Sequence, residues 1–323
     1  MSQSTGRTVR PEITVLGGIN LDLVMNVDHL PSPGESQRAT AYATFAGGKG
    51  ANQAVACAKL GASVRFVSAL GDDSFNSRLR AEMEQADVDM THVLTKAGFP
   101  SGTAMIMVDE QGENLISFSP GAAVQLSLED IEVALKVAGD RSVFLTQFEL
   151  GADLVFPALS LAKKRGLTVI WNPAPAPTQP IPLEVVQSVD VIIPNETESE
   201  TLTGKAIQSI DDAHVAAHTL LAMGFAHVIV TLGKMGLVSC GANGCQYLKA
   251  LDVETVDTTA AGDVFVGALA SQLAAGCEMS QAVSFANSAA ALSTTASGTM
   301  ASIPALADVL AIWNHQEQEG ASQ

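Results

Sequence analysis

The sequence predicts an α/β fold: a central, mostly parallel sheet flanked by helices, with a small β-sheet lid. Three observations carry this expectation. Apolar, β-rich runs alternate with helical segments, and the runs are apolar at almost every position. Two stretches, 22–47 and 102–121, break that alternation with β-type sequence and no helix between. A strand that is apolar throughout needs cover on both faces, which is the situation of a parallel sheet between two helical layers.

In chain order the strand-like runs are ITVLGG (13–18), VRFVSAL (64–70), VFLTQF (143–148), LTVIW (167–171), VDVIIP (189–194) and HVIVTLG (227–233). Between them lie helical segments at 52–61, 74–86, 153–166, 211–224 and 282–295, several of which stop at a Gly suited to a helix C-cap. The lid would form from LVMNVDHLPSPGE and SQRATAYATFAGG, together with the hairpin GTAMIMVD-EQGE-NLISFSPG. Both pieces run into polar, Gly-rich motifs, which places them over one site where a lid excludes water.

The chain has 323 residues, 47% of them hydrophobic and 16% charged, enough apolar material for a large core. Lys and Arg number 17 against 34 Asp and Glu, a net charge of −17. That balance repels phosphate backbones and anionic lipid, so neither nucleic acid nor a membrane is an expected partner. It leaves a nucleotide open, because backbone amides at a helix start build a local anion site. The start MSQSTGRTVRPE lacks an apolar core, and nothing reaches the ~18 apolar residues of a membrane span, so a cytoplasmic protein is expected. One domain over 11–315 is expected, with flexible tails at 1–10 and 316–323.

Cysteines 57, 240, 245 and 277 are too few for a disulfide framework. Cys240 and Cys245 lack a visible partner cluster, so plain packing is expected. His214 and His218 have helical i,i+4 spacing but no third ligand nearby in sequence, so they read as surface residues rather than a metal site.

Chemistry concentrates in VDTTAAGDVFVGALASQLAAG (256–276), where a strand end feeds Thr258, Thr259, two alanines and Gly262 into an apolar helix. Small residues and a free helix start make an anion hole. Asp263 in its first turn is either a dipole-matching acid or a functional one, and Asp257 nearby favours a functional loop. In AGGKGANQAVACAKLG (46–61) another Gly-rich turn enters a helix without being a Walker A loop, leaving Lys49 and Asn52 as candidates or as ordinary solvated residues. Asn20 and Asp22, two apart on an extended segment, point the same way and suit vicinal hydroxyls, or else form a turn. Glu149, the pair Asn195 and Glu198, and TLGKMG (231–236) follow strand ends, where open α/β sheets bind ligands.

GGKGANQAVA (47–56) and DTTAAGD (257–263), in this order and joined by NPAPA (172–176), PNETE (194–198) and TLGKMG, resemble the two signatures of the ribokinase, or phosphofructokinase-B-like, carbohydrate kinase family across about 12–312. The resemblance implies an ATP-dependent kinase that phosphorylates D-ribose at its 5-hydroxyl. It assigns the sugar to Asn20, Asp22, Gly48, Lys49, Asn52 and Glu149, and the role of general base to Asp263. The amides of Ala260, Ala261 and Gly262 would balance charge on the transferring phosphoryl group. ATP would lie against Asn195, Thr231, Leu232, Gly233, Lys234, Met235, Gly236, Gly262 and Asn287, with Glu198 placing Mg²⁺ through water. A monovalent cation, K⁺, would sit among Asp257, Thr259, Ser293, Ala296, Gly298 and Ser302. The resemblance further implies a homodimer joined through the lid. Kinases of 2-deoxyribose, fructose or adenosine, and a non-catalytic sensor on the same fold, are the alternatives. Ala260 stands where the commonest family version has Gly, an exchange that suits only a negative φ.

Overall fold

In the computed structural model, residues 10–139 and 142–320 are described. The chain opens with β1 (Glu12–Leu16) and crosses into the lid as β2 (Asn20–Asn26) and β3 (Ala41–Gly47). It returns through α1 (Lys49–Lys59), β4 (Ser63–Gly71), α2 (Phe75–Gln85) and β5 (Val88–Lys96). A second excursion gives the hairpin β6 (Gly102–Val108) and β7 (Asn114–Ser119). Next come α3 (Leu128–Leu135), β8 (Val143–Thr146), α4 (Ala152–Lys164), β9 (Thr168–Trp171), α5 (Leu183–Val186) and β10 (Val191–Ile192). Then follow α6 (Glu196–Thr203), α7 (Ile210–Met223) and β11 (Val228–Thr231), and the hairpin β12 (Leu237–Gly241) and β13 (Gly244–Leu248). Three helices close the chain: α8 (Ala261–Ala274), α9 (Met279–Ser293) and α10 (Leu306–Gly320).

The main sheet has the order β13-β12-β11-β10-β9-β8-β1-β4-β5, parallel from β11 to β5, with β12 and β13 added antiparallel at one edge. Its central strands are apolar on both faces, as expected, and alternate residues serve two different cores. Ile13, Val15, Leu145, Ile170 and Ile229 pack towards α1, α8 and α9. Phe144, Val169, Trp171, Val228 and Val230 pack towards α3, α4 and α7. Each fully buried side chain of this size stabilises by about 1.5–3 kcal/mol, so neither layer is dispensable. Helix ends follow local chemistry: Ser127 and Asp130 form a capping box on α3, and Gly204 and Gly224 end α6 and α7 in the left-handed conformation.

The lid is a separate four-stranded sheet ordered β3-β2-β6-β7, with β2 and β6 parallel and the two outer pairs antiparallel. The two irregular stretches therefore do meet. Among the described residues no helix is long and apolar enough to cross a membrane.

Three expectations need correction. The chain stays helical through Gly320, beyond residue 315, because α10 continues its pattern; expected tails at 1–9 and 321–323 fall outside the described residues. Cys240 and Cys245 are not merely packed: they oppose each other across β12 and β13, with Cα atoms 4.1 Å apart, and form a disulfide. Nor does His214 stand apart from them: its ring and the two sulfurs of that disulfide lie within 4.8 Å of one another.

Candidate active site

The site forms where α1 and α8 start side by side at the carboxyl ends of the strands. Gly267 makes this possible, because a Cβ there would collide with Ala56 and the backbone of α1. The close approach brings Asn52 and Gln53 of α1 against Asp263 in the first turn of α8. Asp263 is buried and accepts hydrogen bonds from Asn52 Nδ2 at 3.0 Å and Gln53 Nε2 at 2.9 Å. Burial raises its pKa above the ordinary aspartate value, while the Lys49 ammonium and the two amide donors pull it back.

Sequence reading gave no role to the network behind Asp263. Gln53 Nε2 also donates to Asn172 Oδ1 at 2.9 Å, and Gln53 Oε1 accepts from Gln147 Nε2 at 2.6 Å. Asn172 Nδ2 in turn donates to the carbonyl of Ile193 at 2.8 Å. Gln53, Gln147 and Asn172 thus link α1 to the ends of β8, β9 and β10 behind the acid. The usable signal was that polar residues end otherwise apolar strands; it was read at Glu149 and Asn195 but not at Gln147 or Asn172.

On the lid side, Asn20 and Asp22 are buried on β2 and Asn52 is buried on α1. Glycines make the space. A Cβ on Gly102 would strike Asn20 Oδ1, one on Gly47 would strike the Asp22 carboxylate, and one on Gly18 would crowd Glu149. Among the described residues, Asn20 Oδ1, Asn52 Oδ1 and Glu149 Oε2 have no hydrogen-bond partner. Asp22 is pushed up to about 7, first by burial and then by the charge of Asp263. Glu149 is pushed up to about 7 by burial, against the pull of Lys49 and of the Lys49 and Gly50 amides at the start of α1. Burial disfavours the Lys49 ammonium, but Asp263, Glu149 and Glu198 outweigh it and hold the pKa above its usual value. Gly48, with φ 95°, is the N-cap of α1 and sets this turn.

On the other side of Asp263 lies a cleft of about 540 Å³, lined by Asn195, Thr231, Gly233, Lys234, Gly236, Gly262 and Asn287 among others. Two expected members sit elsewhere. Leu232 is buried in the core, and Met235 offers its carbonyl to the Tyr247 hydroxyl at 2.7 Å. Asn287 donates to the carbonyl of Lys249 at 2.9 Å, which ties α9 to the cleft wall. Asn195 and Glu198 form a capping box on α6: Glu198 N donates to Asn195 Oδ1 at 2.8 Å, and Asn195 N to Glu198 Oε2 at 2.9 Å. Burial pushes Glu198 up to about 7 despite the Asn195 amide and Lys49, with the charges of Asp263 and Glu196 adding to the rise.

At the start of α8, Ala260 is the N-cap with φ 61° and no side-chain cap. The condition under which Ala suits this position, a negative φ, is thus not met: the residue is left-handed. The Ala261 amide donates to the carbonyl of Thr258 at 3.2 Å, and beyond Gly262 the space is open. Asp257 bridges two loops, accepting from Thr259 N and Gly298 N, both at 2.9 Å. Burial opposes its ionisation, but these amides outweigh it and hold the pKa below the usual value. Ser293 and Ser302 turn their hydroxyls to the carbonyls of Ala290 and Thr299, and Ala296 lies in the turn between them. Lys59 Nζ fixes the far end of this loop through the carbonyls of Met300 and Ile303.

Known proteins resemble this chain in sequence and fold. The family model described as pfkB family carbohydrate kinase matches residues 10–306. A ribokinase of Haemophilus influenzae is 36% identical over 307 residues, covering 95% of this chain and all of the relative. A deoxyribokinase of Salmonella typhi is 34% identical over 295 residues, covering 91% of this chain and 96% of the relative. The structure of Arabidopsis thaliana ribokinase complexed with ribose and ATP superposes with a TM-score of 0.84 at 29% identity, covering 95% of this chain and 99% of that one. A paired-helix site under a β-lid, carried by both signature motifs and matched along most of its length, makes this chain a member of the pfkB family of carbohydrate kinases.

Proposed function

We propose that the protein transfers the γ-phosphoryl group of ATP to the 5-hydroxyl of D-ribose. The observation that carries this reading is the set of buried acceptors without a partner, Asn20 Oδ1, Asn52 Oδ1 and Glu149 Oε2, beside Asp22 and next to Asp263. A buried acceptor without a donor costs about 1–3 kcal/mol, and the hydroxyls of a small polyol supply donors. The likeness to a ribokinase bound to ribose and ATP agrees with it.

In this reading Asp263 takes the proton from the attacking hydroxyl, and Asn52 and Gln53 keep the carboxylate aimed and ionised. The start of α8, at Ala260, Ala261 and Gly262, balances charge on the transferring group, and ATP lies in the cleft along Thr231, Gly233, Lys234, Gly236, Asn195 and Asn287. Glu198 suits Mg²⁺, since burial near other carboxylates leaves it in want of a cation; the ion would offset phosphate charge. Asp257, ionised and bridging two loops, suits K⁺, held with Thr259, Ser293, Ala296, Gly298 and Ser302, which would order the anion hole. We also propose a homodimer through the lid, whose strands expose Tyr42, Met105 and Ile116 at 60%, 61% and 55%.

The likeness to a deoxyribokinase supports 2-deoxyribose as the second reading. Steady-state kinetics with ribose, 2-deoxyribose, fructose and adenosine separate them. Loss of the 2-hydroxyl should lower kcat/KM by roughly 5- to 150-fold. A value for any other acceptor equal to or above that for ribose overturns the substrate and leaves the kinase standing.

A further inference from the structure

The edge hairpin and the helix packed against it hold a cluster that the phosphoryl-transfer site does not use. α7 carries His214 and His218 one turn apart, and it lies on β12. Across from it stand Cys240, buried on β12, and Cys245, exposed on β13. His214, Cys240 and Cys245 offer ligand atoms within 4.8 Å of one another, and His218 Nε2 is 3.7 Å from Cys245 Sγ.

We propose that, once the disulfide is reduced, these four side chains form a tetrahedral site for a thiophilic divalent cation, with Zn²⁺ as the reference ion. The ligand set is two thiolates and two imidazoles, with Cys-x₄-Cys on a hairpin and His-x₃-His on a helix. This pairing of spacing and secondary structure is the one structural zinc sites use, here with the helix first in the chain. Zn–S bonds of about 2.3 Å and Zn–N bonds of about 2.0 Å require neighbouring ligand atoms to be roughly 3.3–3.8 Å apart. The His218–Cys245 separation of 3.7 Å already falls in that range; the two sulfurs must separate on reduction, and His214, within 4.8 Å of both, and His218 must close on the same point by side-chain rotation.

Metal and disulfide exclude each other. An external dithiol or phosphine reduces the cystine, taking up two electrons and two protons at the sulfurs and becoming oxidised itself. Metal binding then releases both thiol protons. The neutral imidazoles donate lone pairs and lose nothing. The cation would cross-link α7 to the edge strands, the same link that neither pair of residues displays in the sequence alone.

The test is metal binding by the full chain, with and without a phosphine reductant, using Zn²⁺ in calorimetry and Co²⁺ in absorption. The reduced protein should take up one equivalent of Zn²⁺. Co²⁺ should show the visible bands of a tetrahedral site and thiolate charge-transfer absorption. Cys245→Ser, at an exposed position, should weaken Zn²⁺ at least ~100-fold, and His214→Gln or His218→Gln by roughly 10-fold or more. His92→Gln, on the opposite edge strand, should change nothing. Equal binding by oxidised and reduced protein overturns the proposal, as does binding insensitive to Cys245→Ser or to both histidine variants. Absence of thiolate absorption, or no uptake by the reduced chain, overturns it too. None of these readouts depends on which sugar the enzyme phosphorylates.

Discussion

The two halves of the active site are built from different material. The lid side is lined by side chains: Asn20, Asp22, Asn52 and Glu149 are polar groups, three of them beside glycines that leave them room, and two of their carboxyls are pushed up to about 7. The cleft side rests on backbone: a left-handed Ala260, the open space at Gly262, and a strand-end loop whose Leu232 side chain turns into the core. Side chains can discriminate among hydroxyls because a missing donor leaves a buried acceptor unpaired. Backbone amides respond to charge and shape, and tolerate many residue types. Asp263 sits at the junction, so its removal tests whether the halves bind independently. Asp263→Asn should lower kcat by roughly 10²–10⁴ while sugar and ATP affinities stay within a few-fold. Kinetics that retain more than about a tenth of the wild-type kcat would show that the base lies elsewhere.

A second variant sharpens the junction without touching substrate. Gln53 is a positioning residue, one of two amides that favour the ionised form of Asp263. Gln53→Met should cut kcat by roughly 10-fold at neutral pH, about the worth of one hydrogen bond to a charge, and should move the acid limb of the kcat profile to higher pH. Much of the activity should return on the alkaline side. A loss equal at every pH would mean that Gln53 only holds the fold.

These two halves were unequally legible. Asn20 and Asp22 stood out in the sequence because their spacing on an extended segment tells which way they point, and Asn52 and Asp263 because each follows a Gly-rich turn into a helix. The φ of Ala260 did not, since its identity argues for a negative value and the turn into α8 imposes a positive one. Leu232 and Met235 were grouped with their loop, although the tight turn at Gly233–Met235 brings both side chains onto the core. The parallel sheet was visible in runs such as VFLT and VIVT, whereas β5 alternates between buried and exposed positions on an edge and carries no such run. The cluster of Cys240 and Cys245 with His214 depends on a hairpin meeting a helix from elsewhere in the chain. The hairpin alone opposes the two cysteines, but no local pattern encodes the approach of His214.

The raised carboxyls make the lid side sensitive to pH. Asp22 has an ordinary value of 3.8 and sits at about 7 in the fold, so between these the native state holds more protons than the unfolded chain. Stability conferred by the protonated form is present below about 3.8 and is lost as pH rises through about 7. The unliganded enzyme should therefore melt lower at pH 8 than at pH 5.5. Asp22→Asn should remove part of that slope, raising Tm at pH 8 by roughly 2–4 °C with little change at pH 5.5. Thermal melts showing the same slope in both proteins would mean that Asp22 is solvated, and the lid more open than its burial indicates.

The smallest effect belongs to the backbone half. An alanine in the left-handed region costs about 1–2 kcal/mol, and Ala260 bears this cost at φ 61° without a side-chain cap to offset it. Glycine removes the strain but gives the unfolded chain more freedom, worth about 0.4–1 kcal/mol. Ala260→Gly should thus stabilise the protein by about 0.5–1 kcal/mol, measured as a higher denaturant midpoint with an unchanged slope. If the start of α8 acts through its amides, the same variant should alter kcat by less than about 3-fold, because Gly leaves every amide in place. A destabilised variant would mean that the Ala260 methyl makes contacts worth more than the strain it imposes. A stabilised but much slower one would mean that this strain holds the anion hole in its working shape.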